Sequence, residues 1–84
     1  MLKFEVGHVY KIIEFPQDDM PIYVKVKDVE ETIEGTHVYF HLLYTKREDI
    51  TTDFSVLTKH LTPEHHIKIQ EADISEVTLE MLGE

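Results

Sequence analysis

One candidate β-hairpin constrains most strongly what this chain can fold into. Its first arm, residues 22–31, alternates apolar and polar side chains: Ile22, Val24 and Val26 against Tyr23, Lys25 and Lys27. A period of two indicates a strand with one buried and one solvated face. The second arm, residues 37–45, carries bulky side chains on both sides, which is typical of a central strand.

The register between the two arms depends on the turn near Glu34 and Gly35. A two-residue turn at these positions would set lysine stems beside the core, whereas a loop with an odd number of residues would not, because a slip of one residue moves every side chain to the other face. We expect the odd loop, with Gly35 adopting a positive φ. The resulting core face comprises Val24, Val26, Phe40, Leu42 and Tyr44.

Three further strands are predicted from β-branched and aromatic content, at residues 8–15, 50–58 and 66–71. The second of these has a competing interpretation as a short helix over residues 54–61, since its apolar residues also fit helical spacing. If it is a strand, its apolar side is Ile50, Phe54 and Val56.

Two helical segments are indicated near the C-terminus. Thr62 and Pro63 resemble a helix start with room for about one turn before the last strand. Asp73 is a candidate N-cap for a second helix, and Gly83 would end it. The expected core stripe of this helix is Ile74, Val77 and Met81, with Leu82 beside it.

This order predicts a mainly β protein with a short C-terminal helix. A small five-stranded antiparallel barrel or curled sheet satisfies it, and the lone turn before the fifth strand resembles the general plan of SH3-like barrels over about residues 8–71. The resemblance is architectural, rests on no signature motif and implies no function. An open sheet packed against the C-terminal helix is the main alternative.

Length and composition bound the class of protein. Eighty-four residues predict a single compact domain, residues 1–84, with a modest core. The chain has no cysteine, which excludes disulfides, thiolate metal sites and a cysteine nucleophile. No stretch has the character of a signal peptide or of a membrane span, so we expect a cytoplasmic protein without a membrane segment.

The net charge of −9 is concentrated in the second part of the chain. Residues 48–84 contain two Lys or Arg against nine Asp or Glu, whereas residues 1–47 contain six against eight. Because phosphate backbones are bound chiefly by basic residues, this balance argues against non-specific binding of nucleic acid or anionic membranes.

No catalytic or cofactor site is predicted. Neither serine lies in a glycine-rich elbow, and the three glycines stand too far apart to form a phosphate-binding loop. We expect that the protein is not an enzyme and that it binds no cofactor.

The six histidines also predict no metal site. His37 and His41 would lie about 13 Å apart along a strand. The group of His60, Glu64, His65 and His66 does not specify the convergence of three or four ligands that zinc requires.

Aromatic and basic side chains alternate on the outward side of the hairpin. This candidate Tyr/Lys surface comprises Tyr23, Lys25, Lys27, Tyr39 and His41. Such a surface could stack bases while its lysines contact phosphates. The same residue types are also ordinary on solvated strands.

Acidic residues recur at helical spacing on one side of the C-terminal helix. This candidate acidic ridge comprises Asp73, Glu76, Glu80 and Glu84. It could imitate a nucleic-acid backbone and occupy a nucleic-acid-binding protein. The alternative is a helix whose acidic side is simply solvated.

Without catalytic or cofactor chemistry, the leading functional hypothesis is a non-enzymatic acidic β-domain that acts as a protein–protein interaction module. Its unidentified protein partner would bind a sheet face, a free sheet edge or the C-terminal helix. Self-association as a homodimer is equally compatible. A nucleic-acid-binding barrel and an acidic nucleic-acid mimic are the alternatives.

Overall fold

The computed structural model of the protein describes residues 3–16 and 20–83. Within them lie five strands and one α-helix: β1 (Val9–Glu14), β2 (Ile22–Thr32), β3 (Gly35–Thr45), β4 (Asp53–Leu57), β5 (Ile67–Ala72) and α1 (Ile74–Leu82). Two 3₁₀ turns, Thr58–His60 and Pro63–His65, connect β4 to β5. The strand interpretation of residues 50–58 is therefore confirmed, with the first 3₁₀ turn following directly.

All five strands form one antiparallel sheet in the order β4-β3-β2-β1-β5. The mainly β prediction is confirmed. The end strands β4 and β5 each pair with one neighbour and not with each other, so the sheet is open and does not close into a barrel. Among residues 3–16 and 20–83, each end strand therefore leaves one edge without a strand partner.

The β2–β3 hairpin contains two register shifts. Its turn is a two-residue loop, Ile33 and Glu34, between the paired residues Thr32 and Gly35, so the expected odd-numbered loop is wrong. The extra residue is Lys27 in β2, a bulge that restores the pairing of Val26 with Phe40. Gly35 has the expected positive φ, at 126°.

The second register shift places its extra residue in the other strand of the hairpin, β3. Leu43 of β3 has no partner between the pairs Val24–Leu42 and Tyr23–Tyr44. This second bulge turns Tyr44 away from the core face to which the sequence assigned it, and Tyr44 packs beside Tyr23 on the other side of the sheet. The expected shared face of Val24, Val26, Phe40 and Leu42 is confirmed.

The main core lies on one side of the sheet, which we call the inner face. Its buried members are Tyr10, Ile12, Ile22, Val24, Val26, Val38 and Phe40. Phe4 packs edge-on against Tyr10 and Phe40, with ring centroids 5.0 Å and 5.7 Å away. Such aromatic pairs stabilise by about 1 kcal/mol beyond the area that they bury.

The opposite, outer face is covered in part by α1. Asp73 begins the helix as predicted, because its side chain accepts a hydrogen bond of 2.8 Å from the Glu76 N–H. Val77 packs in a second cluster with Val9 and Tyr23. Because β5 neighbours β1, the helix that follows β5 turns back over this face.

Removal of the Lys27 bulge tests what fixes the hairpin register. Without Lys27, the pairs Val26–Phe40 and Asp28–Tyr39 become consecutive and keep their faces. We expect deletion of Lys27 to leave the domain folded and to change its free energy of unfolding by less than about 2 kcal/mol. Circular dichroism and urea unfolding measure both.

Deletion of Lys25 is the matched control. This deletion would move Val24 and Tyr23 each to the face opposite the one that it now occupies. Both side chains are almost fully buried, so both would lose their packing. Because a domain of this size is stable by only a few kcal/mol, the control variant should be unfolded. Equal loss of stability in the two variants would contradict the role assigned to the bulge.

Candidate functional site

The Tyr/Lys surface is not one exposed patch. Tyr23 lies on the outer face but is 1% exposed, because α1 covers it, so the prediction that Tyr23 faces solvent is wrong. The Lys11 ammonium lies 5.8 Å from the centroid of the Tyr23 ring. Lys25 is exposed, and Tyr39 is half-buried and stacks against His37 with ring centroids 5.2 Å apart.

Two further members of that surface, Lys27 and His41, converge on one carboxylate. Asp53 Oδ1 lies 3.2 Å from Lys27 Nζ and 3.0 Å from His41 Nδ1. Hydrogen bonding from His41, followed by that from Lys27, lowers the pKa of Asp53 below its usual value. All three groups are exposed, so the contacts add little stability, but they partly neutralise the charge available to a phosphate.

Two members of the acidic ridge are partly buried, whereas Asp73 is exposed. Glu76 and Glu80 are half-buried, whereas Ile74 and Met81, predicted as core residues, are exposed. Of the predicted stripe, Val77 alone is buried. The expected orientation of the helix is therefore wrong, while Glu84 lies outside the described residues.

Tyr23 and the two half-buried glutamates meet beneath α1. The Tyr23 hydroxyl is buried and makes no hydrogen bond of normal geometry with the described residues. Burial, followed by the negative charges of Glu80 and Glu76 and by the proximity of the Glu80 carboxylate to the hydroxyl, raises the pKa of Tyr23 to about 12. A buried hydroxyl without a partner costs free energy, so α1 is held by the apolar contacts of Val77.

The histidine group does not assemble a metal site. His60 and His65 approach edge-on with ring centroids 5.4 Å apart, and His65 Nδ1 lies 3.0 Å from the Thr62 hydroxyl. Within residues 3–16 and 20–83, no three His, Asp or Glu side chains converge as metal ligands.

A large groove lies on the inner face, where the open sheet leaves the partly buried residues around the core uncovered. Its volume is about 900 Å³. Apolar residues from the N-terminal segment, β2, the 3₁₀ region and β5 contribute to its lining: Phe4, Val29, Leu61, Pro63, Ile67 and Ile69. Ligand pockets in proteins typically measure about 300–1,000 Å³ and have mainly apolar walls.

One wall of the groove is the free edge of β5. The His66 carbonyl accepts a hydrogen bond of 2.8 Å from Phe15 N–H, whereas Ile67 N–H bonds away from β1, to the Thr62 carbonyl. Because main-chain groups alternate in direction along an antiparallel strand, those of Ile69 and Glu71 also face away from β1. Within the described residues, the main-chain groups of Ile69 and Glu71 have no strand partner, and Ile69 lines the groove.

The charged residues of the groove lining are mainly basic, and its other polar residues are Thr36, Thr58 and Thr62. Lys3, Lys59 and Lys68 contribute to it, and Glu31 is its one acid. The Glu31 carboxylate accepts a hydrogen bond of 2.8 Å from the Thr36 hydroxyl. None of the three lysines makes an ion pair with the residues that the structure describes.

Comparison of the chain with protein-family models, curated proteins and solved structures found no match. The described residues include no helix long and apolar enough to cross a membrane. The groove itself was not predicted from the sequence. Its wall residues come from five separate segments, namely the N-terminal segment, β2, β3, residues 58–63 and β5, which patterns within one segment do not bring together.

Replacement of Tyr23 by phenylalanine tests the environment beneath α1. Loss of a buried, unpaired hydroxyl should raise the free energy of unfolding by about 1 kcal/mol. An unfolded tyrosine ionises near pH 10.0 and folded Tyr23 at about 12. The unfolded state therefore gains stability as pH rises through this interval, and Tyr23→Phe should remove that part of the alkaline loss of stability.

The control is Tyr10→Phe, since the Tyr10 hydroxyl donates to the Lys3 carbonyl at 3.2 Å and accepts from Glu5 N–H at 3.1 Å. This variant should lower the free energy of unfolding by about 1 kcal/mol. Urea unfolding at several pH values measures both variants. A loss of similar size in Tyr23→Phe would show that the Tyr23 hydroxyl has a partner.

Proposed function

We propose that this chain is a non-enzymatic protein-interaction domain that binds an extended segment of a partner protein in the inner-face groove. The observation that carries the proposal is the coincidence of an apolar groove of about 900 Å³ with the free edge of β5. An extended segment would use both features together. Its main chain would pair with β5, and alternate side chains would enter the groove.

The chemistry of the edge supports this mode of binding. The main-chain groups of Ile69 and Glu71 are directed away from β1, and an exposed strand edge is a ready template for another strand. Ile67 and Ile69 are half-buried inner-face residues, so an added strand would extend the existing apolar surface. Self-association through the same edge is the homodimeric version of this contact.

The alternatives from the sequence have weaker support. For nucleic-acid binding, Tyr23 is buried and Lys27 is paired with Asp53, which leaves Lys25 and Tyr39 as the main available members of the Tyr/Lys surface. For an acidic mimic, Glu76 and Glu80 are directed toward the sheet. An SH3-like plan and a cytoplasmic location remain part of the proposal.

Selection from a displayed library of random peptides tests the proposal even while the partner is unidentified. We expect selected peptides to alternate apolar residues and to bind with micromolar affinity. Glu71→Pro should abolish their binding, because proline removes an outward N–H that β1 does not use. Glu71→Ala, which keeps that N–H, should bind as the original protein does.

Fluorescence anisotropy with one selected peptide quantifies the comparison, and circular dichroism shows whether both variants keep their strands. Selection of no common sequence, or equal binding by folded Glu71→Pro and Glu71→Ala, would contradict binding at the β5 edge.

A further inference from the structure

We infer that the segment bound in the groove is acidic as well as apolar, with side chains of the two kinds alternating along it. This inference rests on the proposed function and adds the charge of the partner. It follows from the local charge of the groove, which is opposite in sign to that of the protein.

The distribution of lysines is the first observation. The chain has 8 Lys or Arg against 17 Asp or Glu, yet three lysines and one acid contribute to the groove lining. Of the other cationic side chains, Lys27 faces Asp53 and Arg47 faces Glu14 and Asp49, whereas Lys11 lies over the Tyr23 ring and Lys25 makes no ion pair with the described residues. Lys3 and Lys59 at the groove, together with Lys68 on the other side of its β5 wall, therefore present a local positive charge to a segment lying on this edge.

The positions of the lysines are the second observation. Lys59 lies in the 3₁₀ turn after β4, and the Lys3 main chain is fixed by the hydrogen bond from the Tyr10 hydroxyl. Lys68 lies between Ile67 and Ile69 and pairs with Ile13 in β1. Alternation along β5 directs the Lys68 side chain to the outer side of the same edge.

These positions define the two sides of an added strand. Side chains directed into the groove would meet its apolar lining, with Lys3 and Lys59 around it. Side chains directed to the other side would lie beside Lys68 and favour a carboxylate, since cross-strand pairs of opposite charge stabilise a sheet. Glu71, the acid of this edge, is not part of the groove lining. The expected ligand is thus an extended partner segment in which valine- or isoleucine-like residues alternate with Asp or Glu.

Three synthetic peptides of equal length test the charge preference: valine alternating with glutamate, with serine and with lysine. At about 0.1 M salt, the glutamate peptide should bind at least about tenfold more tightly than the serine peptide, and the lysine peptide more weakly than either. The advantage of glutamate should shrink at about 1 M salt, where the screening length falls to about 3 Å. Fluorescence anisotropy measures all three.

Charge reversal locates the effect. Lys68→Glu should weaken binding of the glutamate peptide by about tenfold and leave the serine peptide nearly unchanged, whereas Lys59→Glu, on the side that the valines enter, should weaken it less. Lys25→Glu is the matched control, because Lys25 is an exposed lysine outside the groove lining and should change neither affinity.

The outcomes separate the two proposals. Equal binding of the glutamate and serine peptides, with both lost in Glu71→Pro, would overturn the acidic preference and leave the proposed function intact. Binding of none of the three peptides, together with an unsuccessful library selection, would overturn the proposed function itself. A dimer in sedimentation experiments that these peptides do not dissociate would assign the edge to a second copy and overturn the partner segment.

Discussion

The pairing of β2 with β3 is the constraint on which the rest of the structure depends. A regular ladder from the two-residue turn would set Val26 beside His41 and mix the two faces of the sheet. The bulge at Lys27 brings Val26 opposite Phe40, and the bulge at Leu43 then brings Tyr23 opposite Tyr44. Two single-residue irregularities thus separate an aliphatic and aromatic inner core from an outer cluster built on tyrosine.

The two faces that result are covered to different extents. The outer cluster is capped by α1, which buries Val77 and leaves Leu79 and Leu82 exposed. The inner face is closed by Phe4, β4 and the 3₁₀ turns, but β4 and β5 do not pair, and the groove opens where that closure would be. A sheet that joined its end strands would have covered both the apolar groove and the β5 edge.

The features predicted from the sequence are those set by neighbouring residues. The alternation of apolar and polar residues predicted the strands. Asp73 was predicted as the N-cap of α1, and Thr62-Pro63 as the start of a single helical turn. Bulges at Lys27 and Leu43 depend on pairing across the hairpin, which alternation within one strand does not specify. The side on which α1 docks depends on Tyr23 and Val9, which are remote in sequence, so the stripe of Ile74 and Met81 was assigned to the core in error.

The charge of the protein and the charge of the groove act over different distances. At physiological salt the screening length is about 8 Å, well below the 41 × 27 × 24 Å dimensions of the domain. A segment lying on β5 would therefore interact mainly with Lys59, Lys68 and Lys3, while the acids of distant surfaces would be largely screened. At about 0.01 M salt the screening length reaches about 30 Å, and the net charge of −9 would act on the same segment. An acidic partner would thus be selected by contact with the groove rather than by long-range attraction, and the same net charge would oppose the pairing of two β5 edges from separate copies.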